Sequence, residues 1–262
     1  MDTRESSRVV VVIPTFNERH NITPLVHAVV EHGFEVLIVD DSSPDGTGAE
    51  ADRLASELPG VSVCHRPRRE GLGPAYAEGF RLAMSAPVDV VCGMDADLSH
   101  DPAVLPRLVE PILEDRADMT IGSRYIEGGG IPHWSLFRRG LSQWGNIYAR
   151  WALGIRVHDA TSGYRAYRSQ ALERLEVATC QAVGYLFLTE ISWRATSAGL
   201  RIEEVPINFR HRIHGESKMG GRIILEAMAL VTVWGLRRLV GKSHGPETSG
   251  DIDLDRTRSP DS

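Results

Sequence analysis

The chain has 262 residues, 42% of them hydrophobic, which suffices for one sizeable core or for one domain with a small appendage. Its net charge of −6 lacks the basic excess of a general polyanion binder, and this sets nucleic acid aside as a partner. Cys64, Cys92 and Cys180 are scattered, with no CxxC spacing and no disulfide framework, and the polar first seven residues lead into no signal-peptide core.

Residues 9–13 form a β-branched run stopped by Pro14, the pattern of a strand buried on both faces. The spacing of Ile22, Leu25, Val26 and Val29 predicts a helix over 21–32, ended by Gly33. A second buried strand over 36–39 ends in Asp40 and Asp41. A helix over 47–58, a third strand over 61–64 and a helix over 75–84 follow. A fourth strand over 88–92 runs into Asp95, and Asp101 before Pro102 marks another helix start. With a fifth strand over 119–121, the alternation predicts an α/β domain whose mostly parallel central sheet is flanked by helices.

After Arg124 the texture changes. Glycines 128–130 with Pro132 predict a flexible loop, 135–153 a long helix rich in Trp and Arg, 164–167 and 202–209 further strands, and 186–198 a helix between these. Residues 223–240 are apolar but interrupted by Glu226, Thr232, Arg237 and Arg238. That composition suits a helix lying in a bilayer interface better than one crossing it; a core helix or a docking helix is the alternative. Residues 243–262 are charged and lack apolar anchors, so they read as disordered.

In a parallel sheet, ligands gather outside the carboxyl ends of the strands. Those ends here carry Pro14-Thr15-Phe16-Asn17-Glu18, then Asp40-Asp41, then Asp95-Ala96-Asp97. Carboxylates at one sheet edge repel one another unless a cation or hydrogen-bond donors compensate. An Asp-x-Asp turn offers hard oxygen ligands suited to Mg²⁺ or Mn²⁺. A dinucleotide fingerprint is absent, because the first turn has no Gly-x-Gly-x-x-Gly, and no Gly-Lys-Ser/Thr phosphate loop occurs. The charged side chains also have plain structural readings: Glu18 at a helix start, Asp159 capping a turn before Ser162-Gly163, Arg138 and Arg139 on an exposed helix face.

The blocks 14–18, 40–47, 71–73 and 94–100 resemble those of inverting family 2 glycosyltransferases. Gly122-Ser123-Arg124-Tyr125, the block 159–165 and Gly215-Glu216-Ser217-Lys218 resemble those of polyprenol- or dolichol-phosphate mannose synthases. The resemblance spans residues 9–222 and implies a glycosyltransferase A-type fold that moves mannose from GDP-mannose to a polyprenyl monophosphate. It implies that Pro14, Phe16, Glu18, Val39 and Asp41 hold guanosine, Phe16 standing where relatives often have Tyr. Asp95, Ala96 and Asp97 then meet ribose, diphosphate and the metal, with Asp97 the leading ligand. Ser99 stands where some relatives have Gln. Arg124, Arg212 and Lys218 bind phosphate or sugar, Arg138 faces the lipid phosphate, and Glu190 falls near where base-using relatives place an acid.

The organisation expected is a catalytic domain over 1–219, an amphipathic membrane-interface helix over 220–242 and a disordered tail over 243–262. Such a chain would sit peripherally on the cytoplasmic face of a membrane, touching the membrane surface directly or through an integral membrane partner protein. The alternatives are the same transfer from UDP-glucose or UDP-N-acetylglucosamine, a sugar nucleotidyltransferase, whose glycine-rich loop after the first strand is missing, and a non-catalytic membrane-recruited module.

Overall fold

The structure is a computed structural model that describes residues 7–132, 134–180, 182, 184, 186–210 and 228–236. Arg212, Lys218, the 215–218 block and the tail over 243–262 lie outside the described residues.

The chain opens with β1 (Val9–Thr15), α1 (Arg19–Glu31), β2 (Glu35–Asp40), α2 (Thr47–Glu57), β3 (Val61–His65), α3 (Leu72–Ala83) and β4 (Val90–Gly93). After a 3₁₀ turn (Pro102–Val104) come α4 (Leu105–Leu113), β5 (Met119–Ser123), α5 (Leu136–Leu153), β6 (Arg165–Arg168) and α6 (Ser169–Arg174). A second 3₁₀ turn (Val177–Thr179), α7 (Leu186–Ser197), β7 (Ile202–Pro206) and a helix over 228–236, here α8, complete the described elements.

The strands form one seven-stranded sheet in the order β3-β2-β1-β4-β6-β5-β7. Every described pairing is parallel except those of β6, which runs antiparallel to both β4 and β5. The mostly parallel α/β sheet expected from the alternating pattern is therefore observed. The β-branched run of β1 has no polar face because both faces are covered. Val9, Val11 and Ile13 enter the core beneath α1, α2 and α4, while Val10 and Val12 enter the one shared with α3 and α7. Gly79 lets α3 lie close to β1, since a Cβ there would stand 2.4 Å from Val12 Cγ1.

The turn at Asp101 behaves as the sequence suggests, its carboxylate accepting Ala103 N–H at 3.2 Å, but the first helical residues are 3₁₀ and α4 begins at Leu105. The expected last strand over 202–209 is shorter in the sheet. β7 stops at Pro206, and Asn208 bridges to Gly130 instead. The glycine-rich loop is consequently held rather than loose: Gly130 N–H donates to Ile207 O and Phe209 N–H donates to Gly130 O. No described helix is long and apolar enough to cross a membrane.

Candidate active site

Because β1, β2 and β4 run parallel as neighbours, their carboxyl ends bring Phe16–Glu18, Asp40–Asp41 and Asp95–Asp97 to one sheet edge. The loop after each of these strands contains a non-glycine residue with left-handed backbone: Asn17 (φ 63°), Ser42 (φ 54°) and Leu98 (φ 60°). Such conformations persist only where the surroundings impose them, and they cluster at functional edges. At Leu98 the consequence is visible. The turn folds back so that Ser99 donates both its N–H, at 3.0 Å, and its hydroxyl to Asp97 Oδ1.

At the outer end of this edge, Asp41 is buried and ion-paired with buried Arg66, which also reaches Glu70. The Arg69 guanidinium lies 3.9 Å over the Phe16 ring. Asp40 does not face outward but accepts from Thr15 Oγ1 (3.0 Å) and Ser43 N–H (3.1 Å), bracing the first two loops. Glu18 accepts from Asn21 Nδ2 at 2.7 Å, and its N–H donates to Thr47 Oγ1 at 2.9 Å, so it joins the starts of α1 and α2. Val39 and Ala96 are buried with side chains in the two cores, so any contact they make with a ligand falls to their backbone.

At the centre, Tyr76 on α3 donates its hydroxyl to Asp95 Oδ1 at 3.2 Å. Burial, reinforced by the charge of Asp95, pushes the Tyr76 hydroxyl far above its ordinary range, which keeps it a donor. Gly163 is packed against the same carboxylate; a Cβ there would meet Asp95 Oδ1 at 3.0 Å. Asp95 N–H donates to His100 Nδ1 at 3.3 Å, and burial lowers the His100 pKa, so the ring is a neutral acceptor.

The third part comes from β5 and the turn before β6. Arg124 Nε and Nη2 donate to Asp159 Oδ2 and Oδ1 at 2.6 and 2.7 Å, and Nη2 also reaches Thr161 Oγ1 at 2.8 Å. Burial alone would raise the carboxyl pKa of Asp159, but the Arg124 charge and its hydrogen bonds outweigh it and hold the pKa below the usual carboxylate value. Arg124 lies 5.4 Å from the Phe209 ring centre and 5.9 Å from that of Trp134, while Arg138 lies 4.1 Å from the same indole. Phe209 in turn packs edge-on to His100 at 5.7 Å. His100 and Phe209 thus join the Asp-x-Asp turn to the arginine pair in one site.

Sequence reasoning names Asp41, Asp95, Asp97, Ser99, Arg124 and Arg138 as site residues, and the fold places them all along this edge. It passes over Tyr76, Arg66 and the aromatic seats of the two arginines. Tyr76 has core spacing on α3, so only the fold shows where its hydroxyl ends. Arg66 directly follows the third strand, and that position is a usable signal. Glu190 is fully buried, accepts Arg194 Nε (3.0 Å), Nη2 (2.7 Å) and Ala182 N–H (3.0 Å), and thereby fixes the segment before α7.

The donor chemistry of Asp95 and Asp97 fits a hard divalent cation, being two carboxylates on one turn, while the Nδ1 of neighbouring His100 is already engaged by Asp95 N–H. Among the described residues no cluster of three or more His, Cys, Asp or Glu forms, so further ligands would come from substrate oxygens and water.

Of the membrane-interface helix expected over 220–242, only residues 228–236 are described, and these dock on one side. On α8, Trp234 stacks on Trp193 of α7 at 5.6 Å and Thr232 meets Tyr148 of α5 at 2.6 Å, while Leu230, Val233 and Leu236 face outward. Among the described residues the larger exposed apolar surface belongs to α5, where Leu136 and Phe137 are 87% and 81% exposed and Trp144, Ile147 and Trp151 also face solvent.

A helix-flanked, mostly parallel sheet with an Asp-x-Asp turn at its carboxyl edge is the glycosyltransferase A-type fold, and the profile of Glycosyl transferase family 2 matches residues 10–176. The chain belongs to that family. It is 44% identical to polyprenol monophosphomannose synthase of Mycolicibacterium smegmatis over 92% of each chain. It is 45% identical to undecaprenyl-phosphate mannosyltransferase of Micrococcus luteus over 87% of this chain and 94% of that one. A mannosyltransferase from Pyrobaculum calidifontis, solved with GDP-Man and Mn²⁺, shares the fold with a TM-score of 0.58 at 20% identity, covering 91% of this chain and 66% of its own.

Proposed function

We propose that the chain transfers mannose from GDP-mannose to a polyprenyl monophosphate at a membrane surface, inverting the anomeric carbon to give the β-linked mannolipid. The observation that carries this reading is the seating of Arg124 and Arg138 on one indole, Trp134, at the head of α5, whose exposed face is apolar. Two guanidinium groups beside an apolar helix suit an anionic headgroup on a hydrocarbon tail. The names of the two relatives and the GDP-Man complex of the archaeal neighbour support the acceptor and the donor.

Asp41 would hold the base, with the Phe16 ring and Arg69 beside it and Pro14, Glu18 and the Val39 backbone around the nucleoside. Ser99 would orient Asp97, and Arg212 and Lys218 are carried as phosphate-binding residues on sequence alone. Asp97 and Asp95 would hold Mg²⁺ or Mn²⁺, which when bound offsets charge on the departing diphosphate. The acceptor phosphate is already ionised near neutral pH, so it needs little help from a base. One of its oxygens forms the new bond to the anomeric carbon as the bond to GDP breaks. Arg124 and Arg138 lower the repulsion between the two anions. Glu190, buried and paired with Arg194, is read as positioning the chain around it rather than as a base. The exposed apolar face of α5 offers a surface for direct membrane contact.

The test offers detergent-solubilised polyprenyl phosphate, Mn²⁺ or Mg²⁺, and GDP-mannose, UDP-glucose or UDP-N-acetylglucosamine to the wild type and to Asp97→Ala. Metal-dependent mannolipid, lost in the variant and β-linked by NMR, is the expected result. Transfer only from a UDP-sugar overturns the donor, and the absence of lipid product from every donor overturns the function.

A further inference from the structure

Glu204 has no place in the sequence argument and lies on the sheet-edge strand β7, opposite Ile121 of β5. Its side chain is only 11% exposed. Its carboxylate faces a single turn: Oε2 accepts His158 N–H at 2.9 Å and His158 Nδ1–H at 2.7 Å, while Oε1 accepts Asp159 N–H at 3.1 Å. Two successive backbone N–H groups are thus gripped by the two oxygens of one acid. The residue so gripped is Asp159, whose own carboxylate holds Nε, Nη2 and the backbone N–H of Arg124. From the other side, Asn146 of α5 accepts Ala160 N–H at 2.9 Å.

We propose that Glu204 is a positioning residue for the transfer reaction, acting through Asp159 to aim the guanidinium of Arg124. This rests on the reading of Arg124 as a phosphate-binding residue. The argument is geometric. A two-pronged guanidinium–carboxylate pair transmits the orientation of one partner to the other, because both prongs must stay aligned. Asp159 hangs on a short turn, so its carboxylate points wherever the turn points. Glu204 fixes that turn to β7, and β7 is in parallel register with β5, which carries Arg124 just beyond its end. The loop is closed from strand to strand, and Glu204 is the one side chain that ties β7 to this turn through backbone N–H groups among the described hydrogen bonds. Neighbouring Glu203 pairs with Arg116 at the surface instead, so the strand offers its own control.

Misplacing a binding group by about 1 Å can cost up to about a hundredfold in rate. Glu204→Ala is expected to lower kcat/KM for lipid acceptor about tenfold, Glu204→Gln less, because its amide keeps one acceptor oxygen, and Glu203→Ala not at all. The decisive comparison repeats Glu204→Ala in an Arg124→Lys background, where no two-pronged pair exists. There its further effect is expected to be under twofold, as for residues acting through one partner. Equal losses in both backgrounds, or no loss in either, overturn the proposal. A second readout does not need turnover. The buried Arg124 Nε–H should exchange slowly with solvent by NMR, and Glu204→Ala or Glu204→Gln should speed that exchange at least tenfold. Unchanged exchange overturns the positioning role even if the wild type transfers no sugar, whereas an inactive wild type with the exchange effect present overturns the function and leaves the positioning standing.

Discussion

Arg124 and Asp159 meet through two parallel hydrogen bonds of 2.6 and 2.7 Å where the arginine is 8% exposed and the aspartate not at all. A pair so buried is expensive to break from one side, since the surviving charge keeps its desolvation cost without its partner. Asp159→Ala should therefore destabilise the protein by about 3–5 kcal/mol in urea titrations. The acid dependence has a definite sign. The folded pKa of Asp159 lies below its unfolded value, so its contribution is complete above about pH 4 and is lost as pH falls through the folded pKa. A loss under about 1 kcal/mol would mean that the pair is as dispensable as a surface ion pair.

The Tyr76 hydroxyl on Asp95 separates function from stability. Tyr76→Phe keeps the ring stacked on Phe187, at a centroid distance of 6.2 Å, and removes one donor from the carboxylate. A single hydrogen bond contributes about 1 kcal/mol net to folding, so the melting temperature should shift little. If Asp95 and Asp97 hold a cation together, the Mn²⁺ concentration for half-maximal activity should rise several-fold, because Asp95 loses one of the contacts that orient it. An unaltered metal titration would show that the hydroxyl serves packing alone.

The exposed face of α5 should decide membrane attachment. Each large apolar side chain moved from water to an apolar setting contributes about 1.5–3 kcal/mol when fully buried, and part of that in an interface. Replacing Phe137 and Trp151, each 81% exposed, by Ser should cut sedimentation with anionic vesicles at least tenfold. Transfer to a short-chain, water-soluble acceptor should be retained. Loss of both activities together would place these side chains in the folded core or the catalytic step rather than at a membrane.

The sheet was legible because its signals are local: an unbroken β-branched run such as 9–13, stopped by Pro14, marks a strand buried on both faces. The acids of the site were legible because strand ends are marked by the same pattern. What escaped depended on contacts distant in sequence. Tyr76 meets Asp95 across 19 residues, Glu204 meets Asp159 across 45, and Phe209 meets His100 only because the segment after β7 folds back over the turn. The exposure of α5 escaped for another reason. Its Trp and Phe residues have the composition of a core helix, and only their exposure among the described residues tells otherwise. For α8 the composition pointed to an interfacial helix but not to which face docks.

His100 supplies a final test that couples stability to the architecture of the site. Its ring stacks on Tyr164 at 4.8 Å, and burial lowers its pKa despite the neighbouring charges of Asp95 and Asp97. The unfolded chain therefore takes up a proton near pH 6.5 that the folded protein refuses until lower pH. Stability rises with pH across that window, because the unfolded state binds more protons there. Wild type should lose up to about 1.4 kcal/mol per pH unit from this one group as pH drops below about 6.5. His100→Gln retains an acceptor for Asp95 N–H but cannot titrate, so the stability difference between the two proteins should shrink steadily on acidification. The comparison cancels the remaining histidines. Parallel stability curves for the two proteins between pH 7 and 5 would mean that His100 takes up its proton as readily in the folded protein as in the unfolded chain, and the lowered pKa that keeps its Nδ1 a neutral acceptor would fall with it.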